Sequence, residues 1–451
     1  MLTIDGTFHP SSDFERHYLH FSTLPELHVG VGNIAVCLQD NATWLALCFY
    51  AKSIGISILP IHPSTPISLA KKTAYRAKCS VLFYASMDNN IAIDCDTQNT
   101  GPHGLIQMSS GTTGEPKCIK RSWAAIDIEI ASYIQHFPEA QDMEPFVACP
   151  VTHSYGLICG VLVALARGLC PNIITNINPK FLLKQLLGAD KPLLYASPAM
   201  LNTLVMLWPK NSQLYAAMTS GTLMSAPTFD KVSARVTHLF QQYGCSETGC
   251  VSLGRMSRSH SAIGTPLPHV KITAGLAATH PEEICIRLPA SNDDRIAQTT
   301  FTQDLGYFEE TAHGQSILHF VSRQDDTIIV SGLNVYPHEV EDVVLSHPDV
   351  KEAVLFKVED SLAGQRSCLY FIAEHVSADD LRSWCCQTLA SYQIPQYLHC
   401  VSHIERLANG KVNRKKLAKA YKEKRNSVHV QNSAINSEIN ALHPKSNGVE
   451  A

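Results

Sequence analysis

One stretch of twelve residues constrains this chain more than any other: it runs from Ile106 to Lys117 and reads I-Q-M-S-S-G-T-T-G-E-P-K. Gly111 and Gly114 allow the backbone to turn tightly and to bring its N–H groups close to an anion. Lys117 adds a positive charge, and hydroxyls come from Ser109, Ser110, Thr112 and Thr113. Such a loop can hold a polyphosphate, although it lacks the spacing of a P-loop. A flexible Ser/Gly connector is the alternative that composition alone favours.

Length and composition indicate a globular protein with a large core and a second, smaller core. The chain has 451 residues, of which 45% are hydrophobic and 17% charged, which suffices for two domains. The formal net charge of -4 is small, so electrostatics gives no reason to expect nucleic acid or a membrane as a partner. Since no stretch of about 18 apolar residues could span a bilayer and the N-terminus does not read as a signal peptide, we expect a cytoplasmic protein.

The cysteines and histidines do not follow the spacing of a metal site. Fifteen cysteines are scattered without a C-x-x-C pair, so we expect most to be small buried residues in a reducing compartment. His338 and Glu339 begin like the zinc motif H-E-x-x-H, but Asp342 stands where the second histidine would be. This excludes the metalloprotease interpretation.

Apolar runs before the loop indicate an α/β architecture. Short strand-like runs at Ile34–Leu38 and Val81–Tyr84 flank a helix-like segment at Trp44–Ile54. Strands that alternate with helices are typical of α/β layers. After the loop, Ile126, Ile130 and Ile134 recur at intervals of four, which predicts a helix lying on a sheet.

The stretch Ile106–Lys117 resembles, at every position, the phosphate-binding signature of the adenylate-forming superfamily, which includes acyl-CoA synthetases, adenylation enzymes of nonribosomal peptide synthesis, and luciferases. Five more motifs resemble those of the family and follow in its order. They are P-x-x-H-x-x-G at Pro150–Gly156, Y-G-x-S-E at Tyr243–Glu247, T-Q-D at Thr302–Asp304, S-R-Q-D-D at Ser322–Asp326, and N-G-K-x-x-R at Asn409–Arg414. Two depart from the family pattern, because Gln303 and Ser322 each replace a glycine.

The resemblance covers residues 30–425 and implies a two-domain α/β fold. We expect a large N-terminal multi-layer α/β domain over residues 1–324, shortened at its N-terminus, and a small mobile C-terminal α+β lid domain over residues 325–425. Asp325 would be the hinge between them. Residues 426–451 are polar and rich in Asn and Ser, which predicts a disordered tail.

The resemblance also implies a binding site for ATP and Mg2+. Lys411 would be catalytic, placed between the substrate carboxylate and the α-phosphate, and Glu247 would be catalytic as a magnesium ligand together with Thr112. Tyr243 would stack on adenine. The remaining ATP- or AMP-binding residues would be Ser109, Ser110, Gly111, Thr113, Gly114, Lys117, Gly244, Ser246, Asp304 and Arg323.

The substrate pocket would be formed by His153, Ser220, Gly221, Thr222 and Cys245, and Gly332 would line the tunnel for the thiol. Members that activate amino acids usually hold the ammonium with an Asp near the position of His153, and its absence favours a simple or aryl acid. Ser220 and Thr222 stand where the family usually has Gly and Ala. They predict a short pocket, and therefore a small carboxylic acid or a small amino acid.

The implied activity is that of an ATP-dependent ligase, which converts an acid and ATP to an acyl-adenylate and pyrophosphate. The acyl group then passes to a phosphopantetheine thiol, on a carrier protein or on CoA. Three alternatives are a luciferase-like oxygenase, a ligase with a non-thiol acceptor, and a nucleotide-binding scaffold without turnover. Retention of Glu247 and Lys411 disfavours the scaffold. For His153, a purely structural role is the alternative to a role in the substrate pocket.

Overall fold

The structure, a computed structural model, describes residues 1–28, 32–95, 101–109, 117–176, 178–255, 259–288, 299–312, 314–324, 326–330, 333–360, 364–389, 391–407 and 410–425. The chain divides into two compact units, Met1–Val321 and Ser322–Ala451. The larger unit is an α/β structure, and the smaller unit combines a sheet with helices. The predicted fold class, a large N-terminal α/β domain with a small C-terminal α+β domain, is confirmed.

Two sheets form the larger unit. Its strands are β1 (Leu2–Ile4), β2 (Thr7–His9), β3 (Asn33–Leu38), β4 (Ile58–Pro60), β5 (Cys79–Ala85), β6 (Asn90–Ala92), β7 (Gly104–Ser109), β8 (Lys117–Ser122), β9 (Glu144–Val147), β10 (Asn172–Ile173), β11 (Pro192–Ala196), β12 (Leu214–Thr219), β13 (Val236–Cys245), β14 (Gly249–Arg255), β15 (Ala262–Pro266), β16 (Lys271–Thr273), β17 (Glu282–Arg287), β18 (Thr299–Glu310) and β19 (Ser316–Arg323). A 13-stranded sheet has the order β16-β17-β18-β19-β15-β14-β13-β12-β11-β9-β10-β1-β2, and a 6-stranded sheet the order β6-β5-β3-β4-β7-β8.

Helices cover both faces of these sheets. They are α1 (Ser11–Phe21), α2 (Asn41–Ile54), α3 (Ile67–Arg76), α4 (Trp123–His136), α5 (Val163–Ala166), α6 (Pro179–Leu187), α7 (Pro198–Leu207) and α8 (Ala226–Ser233), with 3-10 turns at Pro25–Leu27 and Pro138–Asp142 and a π-helix at Tyr155–Leu162. Every residue of β3 is buried, as is typical of a parallel strand covered on both faces. The predicted α4 begins at the cap of Ser122, whose Oγ accepts the N–H of Ala125 at 3.1 Å, and it buries Ile126 and Ile130.

Successive residues of the central parallel strands face two different cores. Met218 of β12 and Phe240 of β13 pack into one core, while their chain neighbours Ala217 and Leu239 pack into the other. This alternation is the period of two that a strand imposes. The carboxyl ends of these strands therefore have a fixed orientation, which determines where the segments that follow them can lie.

The smaller unit has one five-stranded sheet with a core on each face. Its elements are β20 (Ile328–Val330), β21 (Leu333–Val335), α9 (Pro337–Leu345), β22 (Val350–Asp360), β23 (Gly364–Ala373), α10 (Ala378–Cys386) and β24 (Tyr397–Cys400), and residues 414–425 are helical. Leu355 and Leu369 face α9 and α10, whereas Phe356 and Cys368 face Leu417 of the last helix.

Two further expectations can be compared with the structure. None of the fifteen cysteines, all of which are described, forms a disulfide, but only seven are buried, so the expectation that most would be buried was wrong. Within the described part of the chain, no helix has both the length and the apolar character needed to cross a membrane.

Candidate active site

The predicted site residues of the larger unit follow the carboxyl ends of neighbouring parallel strands. β9, β11, β12 and β13 are parallel to one another and lie side by side. His153 comes after β9, Ser220–Thr222 after β12, and Tyr243–Cys245 form the end of β13. Because the carboxyl ends of parallel strands meet at one edge, this edge is the usual place for a ligand in an α/β sheet.

Tyr243 and Asp304 are brought together although 61 residues separate them. The hydroxyl of Tyr243 donates a hydrogen bond to Oδ2 of Asp304 at 2.6 Å, and Asp304 is 7% exposed. Burial raises the pKa of Tyr243 well above its ordinary value, and the charge of Asp304 raises it further. The tyrosine therefore stays a hydrogen-bond donor. The two residues expected to bind adenine and ribose form one hydrogen-bonded pair.

The T-Q-D motif has the backbone of a glycine at its centre without having a glycine. Gln303 has a φ of +60°, in the left-handed region that L-residues seldom adopt. Its N–H donates to Oε1 of Glu283 at 2.8 Å, and the N–H of Asp304 donates to Oγ1 of Thr302 at 3.1 Å. The departure from the family pattern is therefore one of residue type, and these contacts hold the irregular segment of β18 that presents Asp304, opposite a register shift in β17.

Glu247 lies at the centre of a three-residue turn, Ser246–Thr248, between β13 and β14, which pair at Cys245 and Gly249. Gly244 is required here, because a Cβ would lie 2.0 Å from the carbonyl oxygen of Gly249. Glu247 is half-buried, and a carboxylate oxygen is a suitable ligand for Mg2+, which usually binds through one or two carboxylates, phosphates and water. The residue present thus fits the ion.

Cys245, which precedes the same turn, is an unreactive thiol. Its Sγ lies 3.1 Å from Oγ1 of Thr248. Burial raises its pKa to about 11, and the neighbouring carboxylate of Glu247 also raises it. Because a thiolate is the nucleophilic form, Cys245 can line a pocket but does not supply a nucleophile at neutral pH.

The segment after β9 connects the two sheets. Ser154 donates to Oε1 of Gln107 on β7 at 2.6 Å, and the hydroxyl of Tyr155 donates to the carbonyl of Met218 on β12 at 2.6 Å. His153 is exposed, and its Nδ1 accepts the N–H of Tyr155 at 3.4 Å. The chain then enters the π-helix, a rare structure that often occurs at functional sites.

The segment after β12 is less enclosed than the sequence suggests. Ser220 is half-buried and its hydroxyl donates to the carbonyl of Gln242 at 3.2 Å. Gly221 has a φ of +91°, and both Gly221 and Thr222 are exposed. Ser220 is therefore held against β13 by its hydrogen bond, whereas the side chain of Thr222 is exposed.

Three buried polar residues at this edge were not predicted. Thr219 and Gln241 are register partners on β12 and β13, and Oγ1 of Thr219 and Oε1 of Gln241 are buried without a hydrogen-bond partner among the described residues. Gln242 faces the other way, accepting from Tyr133 at 2.8 Å and donating to Sγ of Cys159 at 3.2 Å. Since buried polar groups are normally paired, the unpaired atoms fit a polar ligand such as a nucleotide base. Polar residues within an apolar strand were the signal in the sequence.

In the smaller unit, Lys411 follows a tight turn and is exposed. The N–H of Gly410 donates to the carbonyl of Leu407 at 2.8 Å, and the N–H of Leu407 to the carbonyl of Lys411 at 2.8 Å. Arg406 donates to the carbonyl of Gly410 at 3.1 Å and to Glu352 at 2.8 Å. These contacts present the lysine at the surface of its unit.

Arg414, the last residue of the same motif, has a structural role. It donates to both carboxylate oxygens of Glu341, at 2.7 and 2.9 Å, and to Asp326 at 3.3 Å. Burial opposes its charge, but Glu341 and Asp326 outweigh this and raise its pKa above the ordinary value. The motif therefore fastens its own turn to the segment that follows the predicted hinge.

Several predicted positions lie outside the described residues: Ser110, Gly111, Thr112, Thr113 and Gly114 of the phosphate loop, Asp325, Gly332, and the tail at residues 426–451. The described strands on either side of the loop, β7 and β8, form an antiparallel pair in which Ser109 is the register partner of Lys117. Lys117 is exposed, and Arg323 is half-buried at the end of β19.

The chain matches two family models, the AMP-binding enzyme model over residues 96–289 and the AMP-binding enzyme C-terminal domain model over residues 339–411. A 3,4-dihydroxybenzoate--[aryl-carrier protein] ligase of Bacillus anthracis is 38% identical over 418 residues, which cover 92% of this chain and 98% of that protein. A 2-succinylbenzoate--CoA ligase of Bacillus licheniformis is 27% identical over 69% of each chain.

Solved structures with the same fold include ATP-bound MatB from Rhodopseudomonas palustris, with a TM-score of 0.77 and 18% identity over 93% of this chain and 96% of that one. The o-succinylbenzoate CoA synthetase MenE of Bacillus subtilis, in complex with its acyl-adenylate intermediate, has a TM-score of 0.78 and 19% identity over 92% and 94%. The same enzyme has been solved with ATP and a magnesium ion. The chain therefore belongs to the AMP-binding enzyme family, and it is an ATP-dependent, adenylate-forming acid–thiol ligase.

Proposed function

We propose that the protein activates a small aryl acid of the hydroxybenzoate class and transfers it to the phosphopantetheine thiol of an aryl-carrier protein. One observation carries this proposal: the similarity to the 3,4-dihydroxybenzoate--[aryl-carrier protein] ligase extends over 98% of that protein at 38% identity. The match extends over 92% of this chain and so includes residues of both domains, among them residues proposed for each half-reaction.

The residues near His153 support an acid that has no ammonium group. The segment Pro150–Gly156 contains no Asp or Glu, so it offers no countercharge for an amino acid. Ser220 and Cys245, which are half-buried at the same strand edge, carry no charge either. Neutral polar groups beside aromatic residues suit a phenolic ring, whose hydroxyls need partners once they are removed from water.

The proposed roles for adenylate formation follow from charge. A carboxylate is a poor electrophile until AMP gives it a good leaving group, and the attacking oxygen must be aligned with the α-phosphorus. Tyr243 and Asp304 would hold adenosine together with Arg323, and residues 109–117 would hold the phosphates. Glu247 and Thr112 would hold Mg2+, which supplies positive charge to the phosphates. Lys411 would add charge between the carboxylate and the α-phosphate, where the transition state develops it.

For the second half-reaction, we propose that the smaller unit changes its orientation about Asp325, so that the thiol reaches the adenylate along Gly332. The two half-reactions would then alternate. A second candidate acceptor is CoA, because 2-succinylbenzoate--CoA ligases are also similar to this chain, at 27% identity.

Pyrophosphate exchange tests the acid, and acceptor assays test the thiol. Benzoic acid, its mono- and dihydroxy derivatives, acids of two to eight carbons and small amino acids are compared for ATP–pyrophosphate exchange. We expect the highest kcat/KM with a hydroxybenzoate. Phosphopantetheinylated aryl-carrier protein and CoA are then offered in parallel. Preference for an aliphatic or amino acid would refute the proposed substrate class, and preference for CoA would replace the acceptor.

A further inference from the structure

A buried ion pair lies beneath the turn that carries Glu247. Nη1 of Arg121 is 2.5 Å from Oε2 of Glu129, and the two side chains are 7% and 2% exposed. Arg121 belongs to β8, the strand that begins at Lys117, and Glu129 belongs to α4, which follows β8 directly. Neither residue belongs to a motif that predicts the site.

The pair is in direct contact with the hairpin stem below the turn. Oε1 of Glu129 accepts the N–H of Cys250 at 2.7 Å. Gly249 packs against both side chains, since a Cβ there would lie 1.9 Å from Nη1 of Arg121 and 2.4 Å from Oε2 of Glu129. Gly249 also has a φ of +76°, as expected for a glycine that closes a three-residue hairpin loop. The ion pair therefore fixes the position from which Ser246 and Glu247 project.

Stability alone is a poor explanation for this pair. Nε and Nη2 of Arg121 are buried and have no hydrogen-bond partner among the described residues. Burying two charges costs desolvation energy that is regained only with complete hydrogen bonding, and apolar replacements of such pairs are often as stable. What the pair does supply is a fixed geometry among three segments: the strand after the phosphate loop, α4, and the turn with Glu247.

We propose that Arg121 and Glu129 are positioning residues, which keep Glu247 in register with the strand that leaves the phosphate loop. The inference rests on the proposed role of Glu247 in binding Mg2+ with ATP. Groups behind a metal ligand set its orientation, and their loss weakens metal binding even when the ligand itself is intact. The pair would thus act on Mg2+ and ATP, and not on the acid.

The test replaces both charges by side chains of similar length, Arg121→Met with Glu129→Met. We expect the Mg2+ concentration for half-maximal pyrophosphate exchange to rise about 10-fold, in the range for loss of outer groups at metal sites. KM for ATP should rise as well, while KM for the acid stays within about 2-fold, because the pair is proposed to act on Mg2+ and ATP and not on the acid. A simple loss of active enzyme would instead lower kcat alone. Isothermal titration with ATP, in the absence of the acid and with and without Mg2+, gives a second readout that needs no turnover, and the gain in ATP affinity due to Mg2+ should fall about 10-fold. A folded double variant with wild-type Mg2+ and ATP dependence in both measurements would overturn the proposal.

Three further variants keep the test decisive. Glu129→Gln retains the acceptor for Cys250 and serves if the double variant does not fold; it should still raise the Mg2+ requirement, and a wild-type requirement would overturn the proposal. Ile126→Val on the same helix removes packing only, and an equal rise in the Mg2+ requirement there would reduce the pair to a structural role.

Glu247→Gln separates the two hypotheses. If it leaves the Mg2+ requirement unchanged, the role of Glu247 itself fails; if it raises the requirement and the double variant does not, only the positioning role fails.

Discussion

A glycine in the left-handed region ends the turn that carries Glu247 and the turn that precedes Lys411: Gly249 has a φ of +76° and Gly410 a φ of +79°. They differ in what surrounds them. A Cβ at Gly249 would meet a buried arginine at 1.9 Å, whereas a Cβ at Gly410 would meet no atom of the described residues within 4 Å. The first turn is defined by buried contacts around it, and the second mainly by its own backbone and by partly exposed side chains.

This difference matches the demands of the two proposed roles. Magnesium and adenosine need groups held in place before the ligand arrives, and buried hydrogen bonds supply that. Lys411 would act in only one of two half-reactions, so its turn must be presented at the surface of its unit. The pair Arg406–Glu352, which supports it, is 46% and 40% exposed.

Removal of the lysine should have the largest effect on the reaction and little effect on the fold. Lys411→Ala should lower adenylate formation by a factor on the order of 100 or more, at least about 2.7 kcal/mol of transition-state stabilisation. Because the residue is exposed, the melting temperature should not change. Thioester formation from chemically supplied adenylate should survive, and an equal loss of both half-reactions in rapid-quench assays would contradict the assignment.

The two glycines provide a matched pair of substitutions. Gly249→Ala should cost about 2.5 kcal/mol of unfolding free energy, from the left-handed φ and the collision with Arg121 together. Gly410→Ala should cost about 1 kcal/mol, from the φ alone. Chemical denaturation measures both.

If the two variants were equally destabilised, the contrast between a buried and a self-supporting turn would be wrong. Pyrophosphate exchange adds a second comparison. Gly249→Ala should raise the Mg2+ requirement, while Gly410→Ala should lower kcat without changing that requirement.

A smaller effect is expected within the buried half of the site. Tyr243→Phe removes the donor to Asp304 while keeping the ring, and a hydrogen bond to a charged group contributes about 1.5 to 3 kcal/mol. KM for ATP should therefore rise about 10-fold, with KM for the acid unchanged. Isothermal titration with AMP gives an independent value, and unchanged AMP affinity would mean that this contact does not organise the nucleotide site.

The sequence alone allowed roles to be proposed for residues in local motifs, but it did not show contacts that depend on distant partners. Within a short motif, residue type and spacing are enough to propose a role, as for Tyr243, Glu247, Asp304 and Lys411. The contact of Gln242 with Tyr133, 109 residues away, could not be read from either segment. The same holds for Glu129 and Cys250, which are 121 residues apart, because an acid within an apolar helix shows no partner in the sequence. Backbone strain at Gln303 was equally hidden, since a glycine would have indicated it and a glutamine does not.

Ser220 and Thr222, in the predicted substrate pocket of the larger unit, also differ in how firmly they are held. Substitutions of these two residues have the smallest expected effect on the reaction. Ser220 and Thr222 occupy positions where the family usually has Gly and Ala, so a short pocket is the hypothesis. Ser220 is half-buried and bonded to the carbonyl of Gln242 at 3.2 Å, whereas Thr222 is exposed. Ser220 should therefore carry most of the selection.

One excess methylene in a closed pocket is worth about 1 to 3 kcal/mol, so octanoate should be activated far less well than acetate, propionate or benzoate. The double change Ser220→Gly, Thr222→Ala should raise kcat/KM for longer acids by about 5-fold, a change of about 1 kcal/mol. Ser220→Gly alone should give nearly the whole gain, and Thr222→Ala alone almost none. Exchange assays over acids of two to eight carbons and para-alkylbenzoates decide the matter. A wild-type optimum at medium or long chains would refute the short pocket, and a gain from Thr222→Ala alone would show that an exposed residue of this segment closes it.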